Sequence, residues 1–328
     1  MDQRIEVADA PPRGVGHAEP VSCVTAVVRA GRPGFASGDQ GGTILFWDPA
    51  TGRPVGEPIA AHDGWITGLA FAGGVLISAD DDAIRRFDPD TGRPVGEPLS
   101  VAGGGRLAAT GSLVAAVTDG HLRVWDAPSG AVVEDMPLPR RAVLHAFALF
   151  DGRPVALTAD EPDRELFPDA DADMRLVTIW DVAAATPLLP PHLTPEDRGV
   201  GAFAEVAGRF MAVHSTDAFS GDEWTDLYEA GHLHLRDLAT GERVATRERE
   251  AGWINEIEVA VVHGRPIAFI AAEEGVEAWD LERDTRAAPD VEGLLGSVSC
   301  VAVTDVDGVT FVAAGDNDGG VDIRPHAA

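Results

Sequence analysis

One stretch of this chain is written twice. Asp48 to Pro58 and Asp88 to Pro98 are offset by 40 residues and share the string TGRPVGEP. Each copy follows an apolar-alternating run that ends in an aromatic residue plus Asp, which reads as a strand leaving into a turn and a new strand starting beyond it. Self-similarity at a fixed period in this range points to a repeat architecture.

Ends of the same kind continue downstream: Trp47-Asp48, Phe87-Asp88, Trp125-Asp126, Trp180-Asp181, Arg236-Asp237, Trp279-Asp280 and a degenerate Arg324-Pro325. Their second residues are spaced by 40, 38, 55, 56, 43 and 45, so two units carry insertions. Short turns at Gly31, Gly73-Gly74, Gly111, Gly152, Gly208, Gly264 and Gly308, each between two β-rich runs, independently count seven units. In the second unit the runs predict strands over Trp65 to Phe71, Val75 to Ser78, Ile84 to Phe87 and around Val95 to Leu99. Four short antiparallel strands bury no core alone, so each sheet must stack on its neighbours in a ring. The expected fold is all-β: one domain over 1–328, a seven-bladed β-propeller of four-stranded antiparallel blades. The seventh unit stops after its third strand, and the alternating segment Arg4 to Ala8 is expected to supply the outer strand and close the ring.

These residues resemble the WD40-repeat family, through the Trp-Asp endings, Gly16-His17 and Ala61-His62 ahead of first strands, and the period. The resemblance covers nearly the whole chain. It implies a buried hydrogen-bonded set of His, Ser or Thr, Asp and Trp in a blade, and a role in assembling complexes without catalysis. The first unit offers His17, Ser37 and Trp47, with Gly41 where the Asp is expected. The second offers His62, Ser78 and an Asp at 81 or 82, but Phe87 has no indole donor. Units five and seven place Arg236 and Arg324 at the Trp position, so no unit is expected to hold the full set.

The net charge is −29, from 54 acidic and 25 basic residues, and every basic residue other than His is Arg. Such a field repels nucleic acid and anionic membranes and favours a basic protein or peptide. The first 20 residues lack the apolar core of a secretory signal and no apolar run approaches a membrane span, so a soluble, cytoplasmic protein is expected. Cys23 and Cys300 give no disulfide framework. Both lie in Val-Ser-Cys-Val and are read as buried small hydrophobes.

Both insertions, roughly 160–174 and 216–230, fall between the second and third strands of units four and five. The resemblance puts such loops on one face of the ring. The first carries Asp163, Glu165, Phe167, Asp169, Asp171 and Asp173; the second carries Asp222, Glu223, Trp224 and Tyr228. Carboxylates interleaved with aromatics suit a basic, partly apolar partner, against the plainer reading of solvated loops in an acidic protein. Trp65 and Trp253 follow Gly at the start of first strands in units two and six, as binding anchors or as blade caps.

A rival reading is an enzyme, or a metal- or ligand-binding propeller. His232 and His234 project from one strand face, with His214 on the partner strand and Asp217 opening the insertion, a conceivable metal set. Glu256 and Glu258 alternate on an innermost strand and could face the central channel, where hydrated lining is the plainer reading. Asp169, Asp171 and Asp173 lack the Gly and Glu of a calcium loop. The run Gly103 to Arg106 lacks the context of a phosphate loop, and GxSxG, HExxH and CxxC are absent, so no cofactor is expected.

Overall fold

The structure, a computed structural model, describes residues 16–100, 105–139, 142–161, 167, 174–194, 201–219, 228–248, 254–272, 275–287 and 297–326, with backbone alone for 216–219, 228–231 and 246–248. Seven antiparallel sheets follow one another along the chain. In each, the first strand (a) is innermost, and b, c and, where present, d step outward. Blade 1, for example, runs a Val21–Arg29, b Arg32–Asp39, c Thr43–Asp48 and d Arg53–Pro54. The fold is the expected seven-bladed propeller. The segment expected to close the ring, Arg4 to Ala8, lies outside the described residues.

Turn chemistry sets the hairpins. At Ala30-Gly31, Asp151-Gly152 and Asp307-Gly308 both central residues of the a–b turn have positive φ, between 49° and 80°, as the twist of a two-residue hairpin demands. The Asp that ends strand c turns the chain toward d. Oδ1 of Asp88 accepts from the backbone N–H of Asp90 and Thr91, and Oδ1 of Asp280 from Glu282 and Arg283. In blades 4, 5 and 6 the other oxygen pairs with the Arg that opens strand b: Arg153 with Asp181, Arg209 with Asp237, and Arg265 with Asp280.

The core lies between blades. Each of seven buried apolar clusters draws on two adjacent sheets, and one joins Val21, Phe35 and Trp47 of blade 1 to Cys300, Phe311 and Ile323 of blade 7. The seam between blades 7 and 1 repeats that between 1 and 2. Ser22 Oγ donates to the carbonyls of Gly38 and of Ile66 in the next blade, and Ser299 Oγ donates to those of Gly315 (3.0 Å) and of Val21 (2.7 Å). The repeated Val-Ser-Cys-Val is therefore a latch between blades. Both cysteines are free, and burial pushes the Cys23 thiol up to about 12 and raises the Cys300 thiol as well.

Three expectations need correction. In blade 2 strand a begins at Gly68, so Trp65 precedes the strand, and the outer strand is reduced to bridges Ile84↔Ser100 and Phe87↔Pro94. Part of the second insertion is ladder, because strands b (Arg209–Phe219) and c (Tyr228–Asp237) of blade 5 keep pairing past a bulge to Phe219↔Tyr228. Blade 1 does hold a full buried set, because its Asp is Asp39, the last residue of strand b, two places before Gly41. Trp47 Nε1 donates to Ser37 Oγ (2.7 Å), Ser37 donates to His17 Nε2 (2.6 Å), and His17 Nδ1 donates to Asp39 Oδ2 (2.9 Å). Oδ1 of Asp39 accepts from the N–H groups of Gly41 and Thr43, which is why the acid must stand ahead of the turn. Blade 2 follows the same rule with Asp80 in place of Asp81 or Asp82, His62 bonding Ser78 through Nε2 while its Nδ1 stands 3.1 Å from Asp80 Oδ2.

Candidate functional site

His17 and His62 lie ahead of strand a, and each meets the Asp at the b–c hairpin of its own blade, so d–a connections and b–c hairpins share one face of the ring. Trp65 sits in such a connection with 53% of its surface exposed. The insertions open from b–c hairpins, after Asp160 in blade 4 and after Phe219 in blade 5, on the same face. Phe167 is half-buried. Asp163, Glu165, Asp169, Asp171, Asp173, Asp222, Glu223, Trp224 and Trp253 lie outside the described residues, as do the side chains of Asp217 and Tyr228.

A channel of about 540 Å³ runs down the centre, lined by strand-a residues that include Glu256, Glu258 and His145. Both glutamates therefore face it, as their alternation predicts. Arg106, ahead of strand a in blade 3, reaches across to blade 6, donating to Asn255 O (2.9 Å) and standing 3.6 Å from Glu256. Glu256 also accepts the Val301 N–H at 3.0 Å. Burial raises the Glu256 pKa, while Arg106 and that N–H oppose the rise. Glu258 is exposed to the channel, but strands enclose it, and that enclosure with the Glu256 charge pushes its carboxyl up to about 8. His145 is driven down to about 3, by enclosure first and by Arg106 second.

The third locality is the outer seam between blades 4 and 5. Register places His214 at the Ser37 position and Arg236 at the Trp47 position, so blade 5 has polar groups where blade 1 holds its set. His214 faces His234 directly across the ladder, with ring centroids 5.1 Å apart, and His232 stacks on His234 at 5.9 Å. A fourth ring, His192 on the outer strand of blade 4 (His192–Thr194), lies 5.3 Å from His214. Its Nδ1 accepts from Arg236 Nη1 at 2.8 Å. Among the described residues no three His, Cys, Asp or Glu side chains converge as metal ligands. His232 and His234 share a face as expected but lie ring over ring, 14° from parallel, and two guanidinium groups beside the cluster oppose a cation.

No protein-family model matches the chain, and no curated protein matches it in sequence. Solved structures do. The crystal structure of the computationally designed Ika8 protein is similar to 94% of this chain over 97% of its own, with a TM-score of 0.61 and 17% identity. At that identity the likeness concerns architecture alone. The chain is a seven-bladed β-propeller. Sequence reasoning about this propeller missed His192, Arg106 and Asp39. The only signal for Asp39 was its equivalence with Asp80, Asp160 and Asp316 at the ends of aligned strands b.

Proposed function

We propose that this propeller is a WD40-type interaction scaffold, cytoplasmic and without catalysis, that holds a basic protein or peptide on the face shared by the d–a connections and the b–c hairpins. The observation that carries the reading is Trp65, a large aromatic more than half exposed on the face from which both acidic insertions open. An aromatic anchor beside carboxylates suits a cationic, partly apolar ligand, and the net charge of −29 favours encounter with one. The His17–Ser37–Trp47–Asp39 set supports the WD40 assignment. Glu256, tied to Arg106 and to the Val301 N–H, favours a structural channel over a catalytic one.

The test compares wild type, Trp65→Ala and a variant whose two insertions are each replaced by an Asp-Gly turn, as baits in native lysate with mass-spectrometric readout. A protein of basic sequence retained by wild type and lost by both variants is the expected result. If all three retain the same proteins, or none does, this face is not the recognition site.

A further inference from the structure

In a chain of net charge −29, the outer seam of blades 4 and 5 is locally cationic. A cavity of about 150 Å³ there is lined by His192, His214, Arg236, Gly241 and Arg243. Among the described residues no carboxylate lines it: Asp237 is held by Arg209 and by its own turn, and Glu242 faces Arg209.

Arg236 is held in place, its Nε donating to Gly241 O (3.0 Å) and its Nη1 to His192 Nδ1. Because His192 accepts at Nδ1, its remaining proton is on Nε2. Arg243 makes no hydrogen bond or ion pair among the described residues. His214 lines the cavity and is 4% exposed.

We propose that this cavity is an oxyanion site that takes a tetrahedral phosphate or sulfate group between Arg236 and Arg243, with His192 and His214 lining it. A guanidinium presents N–H donors in a planar fork suited to such oxygens, and two of them line this cavity. The volume equals about five water molecules, room for one tetrahedral group with residual water but not for a nucleoside. Electrostatics runs the same way: burial first, then Arg243, lowers the Arg236 pKa, and burial followed by neighbouring positive groups lowers His192 and His214. A bound anion relieves that mutual repulsion.

Inorganic phosphate is titrated calorimetrically into the full-length, untagged protein, with sodium chloride replacing phosphate in the control at equal ionic strength. One site is expected, with affinity falling about tenfold or more in Arg243→Gln, the loss of one charge-assisted hydrogen bond. Circular dichroism of that variant confirms that it is folded, since Arg243 is exposed and Arg236 keeps its contacts. Phosphoserine serves as the organic arm. If phosphate binds and the ester does not, the source is the free ion; if the ester binds as well, the cavity takes the end group of a larger molecule. Both results uphold the site. No saturable binding beyond the chloride control, or equal binding by Arg243→Gln, overturns it.

Discussion

Nδ1 of His17 lies 2.9 Å from Oδ2 of Asp39, and the contact ties the connection ahead of blade 1 to that blade's own b–c hairpin. His17 N–H also donates to Gly319 O in blade 7 (3.0 Å), so the same residue touches both sides of the closing seam.

Ser37 is the centre of that set, accepting from Trp47 and donating to His17. Ser37→Ala leaves a buried indole N–H and an imidazole nitrogen unpaired, and is expected to lower the unfolding free energy by about 3 kcal/mol. Urea denaturation measures it. An unchanged midpoint would show that the set holds nothing together.

Ring closure depends on small residues at the seam. A Cβ on Gly315 would stand 2.8 Å from Cys300 Sγ and against Val21, just as one on Gly38 would stand 2.9 Å from Ile66 and 3.0 Å from Cys23. Gly315→Ala is expected to cost about 1–3 kcal/mol by overpacking. Gly64→Ala, where a Cβ meets nothing within 4 Å, is the neutral control in the same thermal melt. Equal melting of the two variants would remove the closure argument.

Glu258 holds its proton in the folded channel up to about pH 8, whereas the unfolded chain releases it near 4.5. Between those values the native state binds more protons than the unfolded one, so this group removes stability as pH rises. Glu258→Gln is therefore expected to melt with wild type at pH 4 and roughly 2 °C above it at pH 8.5, a modest gain because the side chain is exposed to the channel. A variant that melts below wild type at pH 8.5 contradicts the assignment.

The buried histidines act in the opposite sense. Burial holds His145 down to about 3 and His192 and His234 to about 4, from 6.5 in the unfolded chain. As pH falls from about 6.5 the unfolded state takes up protons that the native state refuses, so stability declines, by at most about 1.4 kcal/mol per pH unit for each histidine. Urea midpoints at pH 7.5, 6 and 5 are expected to fall in that order, less steeply in His145→Gln. Equal slopes would mean that His145 is not held neutral.

Much of the propeller was legible because its determinants are local. The Asp at the end of strand c in six of the seven blades and the Gly in each a–b turn act within a few residues of where they are written, and strand alternation follows side chains one position at a time. That is enough to count seven blades, to place Arg236 and Arg324 at the Trp position, and to predict that Glu256 and Glu258 face the channel. The set in blade 1 was legible in three members. Its fourth was placed two residues late, since which Asp faces His17 depends on where the b–c turn begins.

What only the tertiary structure decided are the meetings between blades. His192 and His214 lie on different sheets, and Arg106 meets Glu256 across the channel from another blade. No periodicity in the chain marks either pair. They form because the ring fixes the spacing and rotation of whole sheets, through the seams that Ser22 and Ser299 latch and that Gly38 and Gly315 keep narrow. Sequence determined the sheets, through short-range backbone preferences, and packing between the sheets determined which charged and polar side chains share a cavity.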